Sequence, residues 1–224
     1  MEDRVAIFID GSNLYHALKD KFGRADLNFS EFARKLVGTR RLFRTYYYNV
    51  LQDPALRPEG YREQQEFFDA LRKTPYLEVR LGGMKRAAGI PVEKGLDIML
   101  ATDLLHFGWN GLYDIAVLVS GDADFAYALQ AVKNMGKHVE VAYFEGNVSR
   151  DLLEVTDYGH LLDQEFFKGL WARGERRAGG GRRRRSRVPV QASEAQVQVA
   201  VAAGPPAVDG PREAAIVSFV PGDQ

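Results

Sequence analysis

The chain has 224 residues, about one and a half typical domain lengths, and its 46% hydrophobic and 11% aromatic content is enough to bury a sizeable core. It contains no Cys, which excludes a disulfide framework, a thiolate nucleophile and Cys-ligated zinc or iron–sulfur sites. Thirty basic residues balance thirty acidic ones, but residues 172–224 carry nine Arg against five acids, leaving residues 1–171 net acidic.

Five apolar runs read as strands: Val5–Ile9, Leu42–Val50, Leu77–Leu81, Ile115–Val119 and Val139–Phe144. The first is continuous rather than alternating, the pattern of a central parallel strand covered on both faces. Helical periodicity falls between them, at Asn13–Lys21, Ser30–Val37 with Ser30 as the N-cap, Glu59–Lys73, Lys94–Phe107, and Asp124–Met135 closed by Gly136. Alternating strand and helix predicts an α/β fold: a central parallel sheet of about five strands, with helices on both faces. Ser149–Val155 and Gln164–Trp171 are expected to form short closing helices. Residues 1–171 thus make one domain, and 172–224 read as an Arg-rich, disordered tail built around Arg182-Arg-Arg-Arg-Ser-Arg187. No apolar run approaches the roughly 20 residues of a membrane helix, and the charged start with five following apolar residues is no signal peptide. A cytoplasmic protein without a membrane partner is expected.

Ligands of an open parallel sheet sit beyond the carboxyl ends of its strands. There the first strand ends in Ile9-Asp10-Gly-Ser-Asn13 and the fourth in Ser120-Gly-Asp122-Ala-Asp124-Phe125. A third acid, Asp97, shares a helical face with Ala101 and Leu104 and is therefore expected to project inward from an apolar stripe. Asp103 lies on a neighbouring stripe. A carboxylate in apolar surroundings is costly unless it is paired or binds a cation. Asp10, Asp97, Asp122 and Asp124 together read as an oxygen-ligand site for Mg²⁺ or Mn²⁺. Each motif alone has a structural alternative: a strand-to-helix turn, an N-cap, or an Asp97–Lys94 pair.

Carboxylate-held Mg²⁺ activates water and stabilises the charge that develops during attack on a phosphodiester. Asn13 and Ser120 are candidate polar helpers. Arg40, Arg41, Lys85, Arg86 and Lys94 are candidate substrate contacts, the last three in a Gly-rich stretch that reads equally as a substrate clamp or a solvated hairpin. Neither nucleotide-binding glycine loop is present. Ser12 stands where an aspartyl-phosphate enzyme wants its second acid. The four His are scattered, and Tyr46, Tyr47 and Tyr48 belong mostly to the core. The Arg run is a candidate contact for nucleic acid or for a protein partner.

Phe8-Ile-Asp10-Gly-Ser-Asn13, Lys94-Gly-Leu-Asp97 and Ser120-Gly-Asp122-Ala-Asp124-Phe125, in that order, resemble the three motifs of NYN domains, in the LabA-like branch of the PIN-like nuclease superfamily. The resemblance covers roughly residues 4–165. It implies a Rossmann-like PIN fold with strand order 3-2-1-4-5. It also implies a metal-dependent ribonuclease site in which Asp10, Asp97, Asp122 and Asp124 bind metal, helped by Asn13 and Ser120. The leading expectation is an Mg²⁺- or Mn²⁺-dependent endoribonuclease acting on RNA. A non-catalytic RNA-binding or regulatory adaptor and a small-molecule phosphohydrolase are the rivals. Oligomeric state stays open, a homo-oligomer included.

Overall fold

A computed structural model describes residues 2–82, 84–87, 90–93 and 95–172; of 84–87 and 90–93 it describes the backbone alone. The chain divides after Arg177 into two units, and the second, with the Arg run, lies outside the described residues.

The order of elements is β1 (Arg4–Asp10), α1 (Gly11–Phe22), α2 (Phe29–Val37), β2 (Arg41–Val50), α3 (Pro58–Arg72), β3 (Leu77–Gly82), then a hairpin of β4 (Met84–Ala87) and β5 (Ile90–Glu93). After the hairpin come α4 (Leu96–Trp109), β6 (Ile115–Val119), α5 (Ala126–Asn134), β7 (His138–Tyr143), α6 (Arg150–Val155) and β8 (Tyr158–Leu161). Six strands pair in parallel in the order β3-β2-β1-β6-β7-β8. The expected order is present, extended by a sixth strand at the edge. β8 has no signature in the sequence because three of its four residues are exposed, so it carries no apolar run.

Alternation along β1 divides the core. Val5, Ile7 and Ile9 face α1, α2 and α3, while Ala6 and Phe8 face α4, α5 and α6. All five are fully buried, and complete burial of such a side chain as Ile or Phe stabilises the fold by roughly 1.5–3 kcal/mol. Tyr46, Tyr47 and Tyr48 are buried, as their strand pattern predicts.

Several boundaries differ from the sequence reading. Asn28, not Ser30, caps α2, its side chain accepting from the Glu31 N–H at 3.2 Å; the helix begins at Phe29, whose ring is buried in the core. The helix expected from Asp124 starts instead as a 3-10 turn over Ala123–Phe125 and becomes α-helical at Ala126. Residues 164–169 form turns, not a helix; Gly169 has φ +78°. The apolar signal there has another use: Phe167 and Leu170 are buried against the first core, and Trp171 stacks on Phe167. Trp171 also forms an antiparallel bridge with Leu27, which ties the end of the described chain to the domain.

From β1 the chain winds outward through β2 to β3, and from β6 through β7 to β8 in the other direction. The reversal falls between β1 and β6, where an open parallel sheet leaves a crevice beyond its carboxyl edge.

Candidate acidic site at the carboxyl edge of the sheet

At the end of β1 the strand passes directly into α1. Asp10 is both the last residue of the strand and the N-cap of the helix, its side chain accepting from the Asn13 N–H at 3.0 Å. Gly11 is required by contact rather than by torsion: a Cβ there would stand 2.5 Å from the Tyr47 ring and 2.6 Å from the Tyr48 carbonyl oxygen. Because Ile9 is registered against Val119, the next residues of the two strands, Asp10 and Ser120, come side by side. The buried Ser120 hydroxyl donates to Asp10 Oδ2 at 3.1 Å and accepts from the Asp122 N–H at 3.2 Å, which joins the two strand ends.

Asp122 caps the 3-10 turn by accepting from the Asp124 N–H at 3.0 Å. Both acids are exposed, while Phe125 anchors the turn in the core. Gly121 allows neighbouring chain to pass close by, since a Cβ there would lie 1.7 Å from the Asn147 carbonyl oxygen. Asp97 enters from the first turn of α4, after Gly95 at φ +79°. The expectation that it projects from the buried stripe is corrected: Leu96, Leu100 and Leu104 form that stripe and Asp97 is exposed. It lies in the first turn of the helix, one position past the buried Leu96. It borders instead a cavity of about 200 Å³ with Asp10, Ser12, Asn13, His16, Gly95 and Leu96.

The electrostatics are those of an uncompensated cluster. Asp10 is only 7% exposed. Burial raises its carboxyl above the ordinary range; hydrogen bonds from Asn13 and Ser120 pull it back, and the charges of Asp97 and Asp122 push it up again. Asp97 is raised too, first by burial and then by Asp122 and Asp124. Among the described residues none of the four acids forms an ion pair, whereas elsewhere Arg4–Asp114, Arg40–Glu140 and Lys133–Asp157 do.

Not every charged residue named from the sequence joins the group. Asp103 accepts from the Tyr48 hydroxyl at 2.9 Å and lies 3.9 Å from Arg80, a structural arrangement apart from the cavity. Arg40 and Arg41 belong to the opposite end of the sheet, where Arg41 opens β2 beside Arg4. Arg40 is committed there to Glu140 and to the carbonyls of Leu36 and Val37. The placement of these two at the rim is corrected; their nearness in sequence to α2 carries no information on which end of the strand they occupy. Lys85 and Arg86 lie on β4, opposite Val92 and Pro91. Their side chains, and Lys94 altogether, lie outside the described residues. Ser12, inside the first motif but given no role at the site, and His16, outside it, also border the cavity; their i, i+4 spacing on α1 is the signal that places them on one face.

An all-carboxylate donor set fits a hard divalent cation in its chemistry. Its spacing does not enclose one: among the described residues no three of His, Asp and Glu stand close enough together to hold a metal ion. As arranged, the acids make a negative rim that a hydrated cation can neutralise, not a dry cage.

Residues 4–163 match the family model for the NYN domain. The chain is 32% identical over 165 residues to "Low amplitude and bright protein LabA" from Synechococcus elongatus, an alignment covering 69% of this chain and 81% of that protein. It also resembles the crystal structure of a protein of unknown function from Vibrio parahaemolyticus, with a TM-score of 0.61 and 23% identity. That match covers 74% of this chain and 96% of the other, and it bears on the fold alone.

Proposed function

This chain belongs to the NYN domain family, within the PIN-like nuclease superfamily, and from that premise we propose that it is a metal-dependent ribonuclease that hydrolyses RNA phosphodiesters. The observation that carries the reading is the gathering of Asp10, Asp97, Asp122 and Asp124 around the β1–β6 crevice without a basic partner among the described residues. Such a group repels itself, and its cost is offset when a cation is bound. Too widely spaced to coordinate one ion together, these four side chains would hold a hydrated Mg²⁺ or Mn²⁺ in large part through its waters. When bound, the ion supplies a more acidic water and screens the phosphate's charge. Asp10 is fixed by the Asn13 N–H and the Ser120 hydroxyl and gives the site its fixed point. Ser120 keeps the Asp122 loop at hydrogen-bond distance, and Asn13 lines the cavity, where its carboxamide would meet a phosphate oxygen or a water.

Incubation of the purified chain with labelled RNA and Mn²⁺ tests this. Cleavage is expected, and Asp10→Asn and Asp122→Asn are each expected to lower it by about a hundredfold or more. Activity persisting in both variants overturns the assignment. One observation favours a second reading, an RNA-binding adaptor without catalysis: the acids do not close around an ion. Tight RNA binding without cleavage in the same assay selects it. The proposed tail contact is tested by deleting residues 172–224, which is expected to weaken RNA binding and flatten its salt dependence.

A further inference from the structure

Beside the acidic cavity, and sharing Ser12 and His16 with it, lies a larger one of about 700 Å³ between α1, the carboxyl end of β2 and α3. This volume suits a small organic ligand. Phe29, Tyr47 and Phe67 contribute aromatic lining, and the half-exposed Tyr15 stands at its edge. Charges of both signs border it, Arg57 against Asp53 and Glu63, so it is no anion site.

Three carboxamides line the cavity, and two are committed. Gln64 accepts from the Gln52 N–H and donates to the Val50 carbonyl, both at 2.8 Å. Asn49 accepts from the Val50 N–H and donates to the Tyr47 hydroxyl. The side chain of Gln52 has no hydrogen bond among the described residues, and its Oε1 is buried without a donor. It rests against Gly60, where a Cβ would stand 2.4 Å away. An orphaned carboxamide beside an aromatic cavity, whose described lining carries two acids against one Arg, suits a flat ligand without negative charge that offers N–H and acceptor groups on one edge.

We propose that this cavity receives a nucleobase adjoining the phosphate placed at the acids, and that Gln52 turns toward it and pairs with its edge while Tyr15 packs on its face. The proposal rests on the RNA reading and adds a base-recognition site to it.

The test uses the full-length, metal-free chain, titrated with adenosine, guanosine, cytidine and uridine by saturation-transfer NMR, with ribose as control. At least one nucleoside is expected to bind and ribose is not. Gln52→Leu and Tyr15→Ala are each expected to weaken that nucleoside by about tenfold. Gly60→Ala, which displaces the carboxamide, is expected to weaken it in the same direction. Because Tyr15 is half exposed, its variant keeps the test valid should Gln52→Leu fold poorly. Absence of nucleoside binding, or affinities within about twofold of the parent in both Gln52→Leu and Tyr15→Ala, overturns the proposal. RNA cleavage by the same preparation with Mn²⁺ is scored separately. Cleavage without nucleoside binding sinks the base site alone, and nucleoside binding without cleavage sinks the nuclease alone.

Discussion

The two ends of the sheet handle acidic residues in opposite ways. At the amino end, Asp114 takes two side-chain hydrogen bonds from Arg4 at 3.0 and 2.9 Å, Asp157 pairs with Lys133 at 2.6 Å, and buried Glu140 is held by Arg40 and by His160 at 2.7 Å. At the carboxyl end, Asp10, Asp97, Asp122 and Asp124 have, among the described residues, one another and a few neutral donors. Paired acids lower their own proton affinity. Asp114 is brought to about 2 chiefly by the Arg4 hydrogen bond. Burial pushes Glu140 up, yet His160 and Arg40 outweigh it and bring it to about 2. Asp10 and Asp97 move the other way. Paired acids at the amino end stabilise the fold, whereas the charges of Asp10 and Asp97 burden it, a pattern that marks a candidate binding site.

The sharpest way to break the contrast is Glu140→Ala, which leaves Arg40 and His160 facing an emptied, largely buried position. A loss of about 2–3 kcal/mol is expected, below the range for fully buried pairs because Arg40 is partly exposed, and urea denaturation measures it. Next in size is Gly121→Ala, where the added methyl meets the Asn147 carbonyl; overpacking of this kind costs about 1–3 kcal/mol. RNA cleavage should fall with it, since the same loop carries Asp122.

Acid titration separates the two ends without mutation. The stabilisation from Glu140 is complete above its ordinary value of 4.5 and is lost as the pH falls toward about 2. Asp10 has the opposite sign: its folded value is raised, so the metal-free fold loses stability as the pH rises through that value. Asp10→Asn should therefore raise the metal-free Tm at neutral pH while abolishing cleavage. A lower Tm would place Asp10 among the architectural acids. Divalent-ion affinity, measured by calorimetry, should weaken as the pH is lowered through the raised values of Asp10 and Asp97. The smallest effect is expected from Arg41→Ala, because the residue opens β2 at the far end; RNA affinity should stay within about twofold of the parent.

The strands of the sheet are legible in the sequence because all but β8 carry an apolar run, which in β1 and β6 is buried on both faces; the order in which they pair is what the resemblance to NYN domains implies, not something the runs disclose. Asp10 and the Ser120–Asp124 turn are legible for the same reason: the end of a buried strand fixes the position of the residues directly after it. Asp97 reads onto the wrong surface because its stripe with Ala101 and Leu104 competes in the sequence with the stripe of Leu96, Leu100 and Leu104, and the second is the one that is buried. Arg40 and Arg41 mislead similarly, since charge is visible in a sequence while the end of the strand it occupies is not. Ser12 and His16 need only the helix wheel. Gln52 gives no signal, because its meaning lies in the donor it lacks.

The Ser120 hydroxyl has a single proton, which it gives to Asp10, while its oxygen receives the amide of Asp122. Uptake of a proton on Asp10 Oδ2 turns that contact round, the carboxyl donating and the hydroxyl oxygen accepting with its second lone pair while it keeps the Asp122 amide. One small side chain thus spans both strand termini whichever way the proton lies.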